Sequence, residues 1–370
     1  MHLIEETTST SNDSIAVAKA AATATAAVAP SVELPRIESE AELTEIGLVR
    51  KVAPIVEGFP DRLPRADEIA DLNAHFGPVL TAVALEQICR RLNPHAAFRE
   101  VVEAAGREAV QGRAPQLSPD RRPEVLIVES TDPFWPGRKW GQHVEPWRSW
   151  VRKSGCTTDF IRTSATAGVQ SNAESIVREL KRQTHAPLIL LSQGQGSLEV
   201  RWALEHLAAT APEALAGIGA WVSVGGGARG LSMAAWRSRS WWRLTQAEMA
   251  LSMKGRPPQL MRSLSSAHPR VMRPLAAPFR DSNGRSILCV SVVGLALPSD
   301  VPQAMWSEFQ AFSRWIGPND GVASFQDQVL GVGYVLPILG LTAAPESARL
   351  GPWLAGICSV LAQKLSAPNA

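Results

Sequence analysis

From residue 124 onward, short apolar runs alternate with amphipathic stretches, and this alternation constrains the fold more than any other feature. The runs fall at residues 124–129, 158–162, 187–192, 218–224, 286–294 and 334–340. Most are apolar throughout rather than at every second residue, the pattern of a strand buried on both faces. Between them, residues 171–183, 198–209 and 303–315 carry apolar side chains at three- and four-residue spacing, which predicts helices. Strand and helix in alternation predict an α/β fold: a mostly parallel sheet with helices on both faces.

Two regions depart from this rhythm. Residues 41–115 have helical periodicity only, over 66–76, 79–92 and 96–111, and are expected to form an N-terminal helical extension on a main domain of residues 120–370. Between the strands ending near residue 224 and starting near 286 lies a helical insertion, residues 229–282. The first 40 residues are rich in Ala, Thr and Ser, with too little large apolar surface to order themselves, and are expected to be a disordered tail. They do not read as a secretory signal, because Glu5, Glu6 and Asp13 replace a basic start and Lys19 interrupts the apolar run. With no run of about 18 apolar residues to span a membrane, a cytoplasmic location is expected.

The most informative stretch is Pro187-Leu-Ile-Leu-Leu-Ser192-Gln-Gly194-Gln-Gly196-Ser197. It reads as an apolar strand, a tight turn of small residues and the start of a helix. The arrangement resembles the nucleophile elbow, G-x-S-x-G, of α/β-hydrolases. Three further landmarks follow in the order of lipases and esterases. Residues 123–137 are similar to the strand and loop carrying the oxyanion hole. Residues 220–230 (A-W-V-S-V-G-G-G-A-R-G) are similar to the strand and Gly-rich loop after the elbow helix. Residues 317–322 (G-P-N-D-G-V) resemble the loop holding the catalytic acid.

The resemblance covers residues 120–366 and implies an α/β-hydrolase fold whose insertion acts as a lid. It puts Gly194 at the nucleophile position, Asp320 at the acid and Ala343 near the place of the histidine. It assigns Ser130, Thr131, Gln195 and Trp135 to the oxyanion hole and pocket mouth. Gly194 has no nucleophile, though it suits the strained elbow backbone. No histidine follows His268, so Asp320 has no imidazole to orient, and Asp320-Gly321 reads equally as a turn held by an Asx-type hydrogen bond.

Three functions stay open. The chain binds an acyl or lipid-like ligand, or a protein partner, without serine-hydrolase activity. Alternatively it is an active lipase or esterase with a displaced nucleophile, Ser192 or Ser197, using His268 as base. In a third reading, non-hydrolytic chemistry runs in the same pocket. A dinucleotide site is disfavoured, since G-x-G-x-x-G would need glycine where Glu199 stands.

The insertion has its own chemistry. From residue 229 to 280 there are ten basic residues against Glu248 alone, a charge of +9 in a chain whose net charge is +2. It also holds Trp236, Trp241 and Trp242 and five methionines, among them Met249 and Met253. Arg with Trp suits a wet boundary above an apolar groove, and Met gives an adaptable apolar surface. The implied lid would grip an acyl chain, with at most peripheral contact to an anionic membrane. A second tryptophan group, Trp135, Trp140, Trp147 and Trp150, is expected to line the same mouth or to pack in the core. The near-neutral net charge gives no sign of nucleic acid as a partner. Cys89, Cys156, Cys289 and Cys358 match no metal-ligand spacing and are expected to be buried reduced thiols. Neither metal nor cofactor is expected.

Overall fold

A computed structural model describes residues 45–113, 122–130, 134, 139–183, 187–258, 260–265, 273–344 and 347–366. The tail expected over residues 1–40 lies outside them. Six strands form one parallel sheet: β1 Glu124–Val128, β2 Thr157–Ile161, β3 Leu188–Gln193, β4 Ile218–Val224, β5 Leu288–Leu295 and β6 Tyr334–Leu339. Their order across the sheet is β2-β1-β3-β4-β5-β6. Each strand falls within two residues of its expected position, because an all-apolar run bounded by polar residues leaves little latitude in register.

The sheet is covered on both faces, as in the α/β-hydrolase architecture that the sequence suggests. Alternate residues supply two cores. Val125, Ile127, Ile189, Leu191, Val222 and Val290 face α4 (Val144–Arg152) and α12 (Ser347–Ser366). Leu126, Val128, Leu188, Leu190, Trp221 and Cys289 face α5 (Val169–Arg182) and α6 (Gln195–Thr210). Each such aliphatic side chain, fully buried, contributes roughly 1.5–3 kcal/mol of transfer free energy.

The N-terminal helices pack on the β6 side. They are α1 (Glu45–Glu57), α2 (Ala66–Arg91) and α3 (His95–Val110). α2 breaks at Gly77, just before Pro78, where two separate periodic stretches are legible in the sequence. Ala82, Leu85 and Cys89 of α2 pack with Val293, Leu295 and Val335 of the sheet. Arg99 of α3 donates to the carbonyl of Pro337 at 2.9 Å and pairs with buried Glu86 at 3.1 Å. α3 also lies so close to α12 that a Cβ on Gly106 would come 2.5 Å from the Pro352 carbonyl oxygen, and one on Gly356 would collide with Val102.

The insertion contains α7 (Ser232–Ser238), α8 (Trp241–Met253) and α9 (Leu260–Leu264). It is pinned near its start by α11 (Phe325–Gln328). There the buried Asp327 carboxylate accepts from the backbone N–H of Ser232 at 2.8 Å and of Ser324 at 2.9 Å. All four cysteines are buried free thiols. Burial pushes the Cys289 thiol up to about 12, so thiolate chemistry is out of reach there.

Candidate functional site

The carboxyl ends of β1, β3, β4 and β5 meet at the turn between β3 and α6, the edge where parallel α/β sheets place ligands. Gly194 forms this turn with φ 50° and ψ −123°, a conformation that costs a residue with a side chain roughly 1–3 kcal/mol. Its N–H donates to the Val224 carbonyl at 3.3 Å, and its own carbonyl accepts from the Gly227 N–H at 3.1 Å. Close packing sets the residue after next. A Cβ on Gly196 would lie 2.5 Å from Ser130 Oγ and 2.8 Å from Ser130 Cβ. Ser130 is fully buried and donates through Oγ to the Gln193 carbonyl at 2.9 Å, tying β1 to the end of β3.

The structure brings together Gly194, Asp320 and Ala343, the residues expected at the triad positions. Asp320 is fully buried, and its Oδ1 accepts from the N–H groups of Val322 at 2.9 Å and Ala323 at 2.7 Å, the Asx-type turn readable in the sequence. The N–H of Ala343 donates to the Asp320 carbonyl at 2.8 Å. The carbonyl of Ala343 accepts from Gln193 Nε2 at 2.9 Å, adjacent to Gly194. Ala343 itself is buried and belongs to the same apolar cluster as Leu198, Leu231, Met233, Val322 and Ala323.

Ser192 and Ser197 lie behind the turn in a buried chain of hydroxyls. Ser192 Oγ is 2.9 Å from Ser197 Oγ and accepts from the Trp221 indole N–H at 2.9 Å. Ser223 Oγ donates to Ser197 Oγ at 3.0 Å. Both serines have no solvent exposure, and these partners include no base. His268 falls outside the described residues. His143 immediately precedes α4, with its Nε2 3.1 Å from the Val128 carbonyl oxygen, and His206 lies on α6.

A polar cluster beside the turn is not legible in the sequence. Glu199, one helical turn beyond Gln195, is fully buried. Its Oε1 accepts from Gln195 Nε2 at 2.7 Å and from Asn172 Nδ2 at 2.8 Å. Burial pushes its carboxyl up to about 8, against the opposing pull of those two hydrogen bonds and of Arg256. Glu199 Oε2 and Gln195 Oε1 are buried without a hydrogen-bond partner, as is the indole nitrogen of Trp140. Arg256, at the far end of the insertion's long helix, stacks over Trp140 with its guanidinium carbon 5.1 Å from the ring centre. Such a group can hold or pass a proton and can accept a polar guest. The only local trace is the four-residue spacing of Gln195 and Glu199 on one side of a helix. Asn172, Trp140 and Arg256 arrive from distant segments.

The expected mouth and lid residues divide. Thr131 and Trp135 lie outside the described residues. Gln195 is buried, its amide committed to Glu199. Trp236 turns inward against Phe312, with ring centres 5.9 Å apart. Trp241, Trp242, Met249 and Met253 face solvent instead. Of the second tryptophan group, Trp147 is core, its ring 4.7 Å from His143, and Trp150 packs against Gly351 of α12. Of the two alternatives open for these two rings, the structure takes packing over the mouth, because α4 turns its apolar side toward α12.

No known sequence family matches this chain, and no curated protein matches it. Several solved structures are similar. A metagenomic carboxyl esterase is 15% identical, with 85% of this chain and 99% of that chain covered and a TM-score of 0.49. The mature lipase BlEst2 of Bacillus licheniformis is 14% identical, with 66% and 91% covered and a TM-score of 0.45. The RedJ thioesterase of prodiginine biosynthesis in Streptomyces coelicolor is 16% identical, with 66% and 99% covered and a TM-score of 0.32. At such identities, nothing about reaction or ligand transfers.

Proposed function

We propose that this chain is a non-hydrolytic protein on an esterase-like scaffold, one that holds an acyl or lipid-like molecule rather than cleaving an ester. The observation that carries this reading is the site's composition. The backbone of an elbow is kept at Gly194, with Asp320 and Ala343 bound to each other beside it, and neither nucleophile nor imidazole stands at these positions. Acyl chemistry is favoured over a protein partner by what the insertion covers. Leu198, Val322 and Ala343 share one apolar cluster with Met233, Leu251 and Leu260 of the insertion, so displacing the insertion as a lid would uncover an apolar surface. The displaced-nucleophile alternative is disfavoured by the burial of Ser192 and Ser197 among hydroxyl, carbonyl and indole partners.

The test pairs two measurements on the purified chain. Incubation with a fluorophosphonate, followed by peptide mass spectrometry, is expected to give no serine adduct. Titration with the fluorescent fatty acid cis-parinaric acid is expected to saturate. An adduct on Ser192 or Ser197 would establish a displaced nucleophile, and absence of saturable binding would remove the acyl ligand.

One observation favours a second reading, non-hydrolytic catalysis in the same place. Glu199 is a carboxyl held neutral near pH 7, with one oxygen unpartnered, adjacent to the turn. A group so poised suits proton transfer to or from a bound molecule. Turnover abolished by Glu199→Gln, with cis-parinaric acid binding unchanged, would select this reading.

A further inference from the structure

The insertion shows solvent a surface that the buried site does not use. On α8, Trp241 is 76% exposed, Trp242 61%, Met249 58% and Met253 77%. Positions 242, 249 and 253 fall on one stripe of the helix, while Ala247 and Leu251 on another stripe are buried in the core. The helix is therefore already docked by one face and leaves a second apolar face open. Beside it, α10 (Trp306–Ile316) exposes Trp306 and Trp315. Six of the eight strongly exposed large apolar side chains among the described residues thus belong to these two helices.

Basic groups stand among the rings. The Arg239 guanidinium carbon is 5.1 Å from the centre of the Trp315 ring, and that of Arg243 is 4.1 Å from the centre of Trp236. A cleft of about 480 Å³ between the helices is lined in part by Arg237, Arg243, Gln246 and Glu308. Glu308 is occupied by Arg237 at 2.7 Å, and Glu248 is half-buried. Arg239, Arg243, Lys254 and Arg314 are all exposed.

We propose that this face docks on an anionic lipid bilayer. α8 lies in the plane of the interface, its Trp and Met side chains at the boundary of headgroups and acyl chains. Arg239 and Arg243 rest on lipid phosphates. Tryptophan and arginine both favour that boundary, and an amphipathic helix with basic flanks binds there in proportion to buried apolar area and lipid charge. A second copy of the chain fits the same face poorly, because a two-fold contact would bring two copies of one basic patch together. The inference stands on exposed side chains and does not depend on what the site at Gly194 binds.

Sedimentation of the full chain with vesicles tests it. Binding is expected to phosphatidylcholine vesicles containing phosphatidylglycerol, weaker to phosphatidylcholine alone, and reduced by added salt. Joint substitution of Trp241→Ser and Trp242→Ser is expected to lower partitioning by about tenfold or more. Arg239→Gln with Arg243→Gln should remove the preference for phosphatidylglycerol. All four positions are exposed, so thermal unfolding should be unchanged in both variants. Equal sedimentation of wild type and the Trp variant, or none by wild type, overturns the proposal. So does light scattering in which wild type is a dimer that the Trp substitutions dissociate, which would make this face a contact between copies.

Discussion

Gln195 Nε2 donates to Glu199 Oε1 across 2.7 Å, one helical turn away, and both residues are closed off from solvent. The carboxyl at the centre of this contact is held protonated up to about 8, against 4.5 ordinarily. Between those values the folded chain keeps a proton that the unfolded chain has released. Stability contributed by Glu199 is therefore fully present below about pH 4.5 and is lost as pH rises to about 8. Asp327, also raised by burial, acts in the same direction. Urea midpoints measured from pH 5 to 8 should fall for wild type and fall less steeply for Glu199→Gln. Parallel slopes would assign the pH dependence elsewhere.

Gly194→Ser is expected to destabilise the fold by about 1–3 kcal/mol, the cost of a side chain at this backbone conformation. It should not create a reactive serine, since position 343 offers no base. Urea unfolding and fluorophosphonate labelling of the variant check both halves. Strong labelling would mean that some other group serves as base and would end our account of the site.

Gly196→Ala puts a methyl group against Ser130, forcing Ser130 away from the Gln193 carbonyl. Overpacking of this kind costs roughly 1–3 kcal/mol. Adding Ser130→Gly should recover part of the loss, because it removes the atoms in collision. A double-mutant cycle on thermal unfolding measures that coupling, and strict additivity would exclude the contact as the cause.

Asp327→Ala leaves the buried N–H groups of Ser232 and Ser324 without their acceptor, at roughly 1–3 kcal/mol each. Because Ser232 begins α7, the first helix of the insertion, tryptic cleavage at Arg239 and Arg243 should quicken as well. Asp327→Asn keeps an oxygen in place and should behave much closer to wild type. If alanine and asparagine are equivalent, the contact with Ser232 does not anchor the insertion.

The sheet could be read from the chain because parallel strands advertise themselves as unbroken apolar runs, and the turn at Gly194 because steric demands there leave only small residues. Asp320 gave itself away as a short Asn-Asp-Gly turn. What stayed hidden depends on packing between distant segments. Glu199 looks like any helix glutamate until Asn172 from α5 closes over it, and Trp140 meets Arg256 across the site from opposite sides of the sequence. Nor could spacing distinguish Trp236, which turns inward, from Trp241 and Trp242, which do not. That choice is made by Phe312 on another helix.

The close seat of α3 on α12, set by Gly106 and Gly356, carries a consequence for biosynthesis. A helix made early has its tightest neighbour in one made far later. On the ribosome, α3 must wait, the side that meets α12 uncovered, until α12 has emerged. Synthesis of α12 is thus a condition for settling α3, and a nascent chain halted before α12 should engage holdase chaperones through α3.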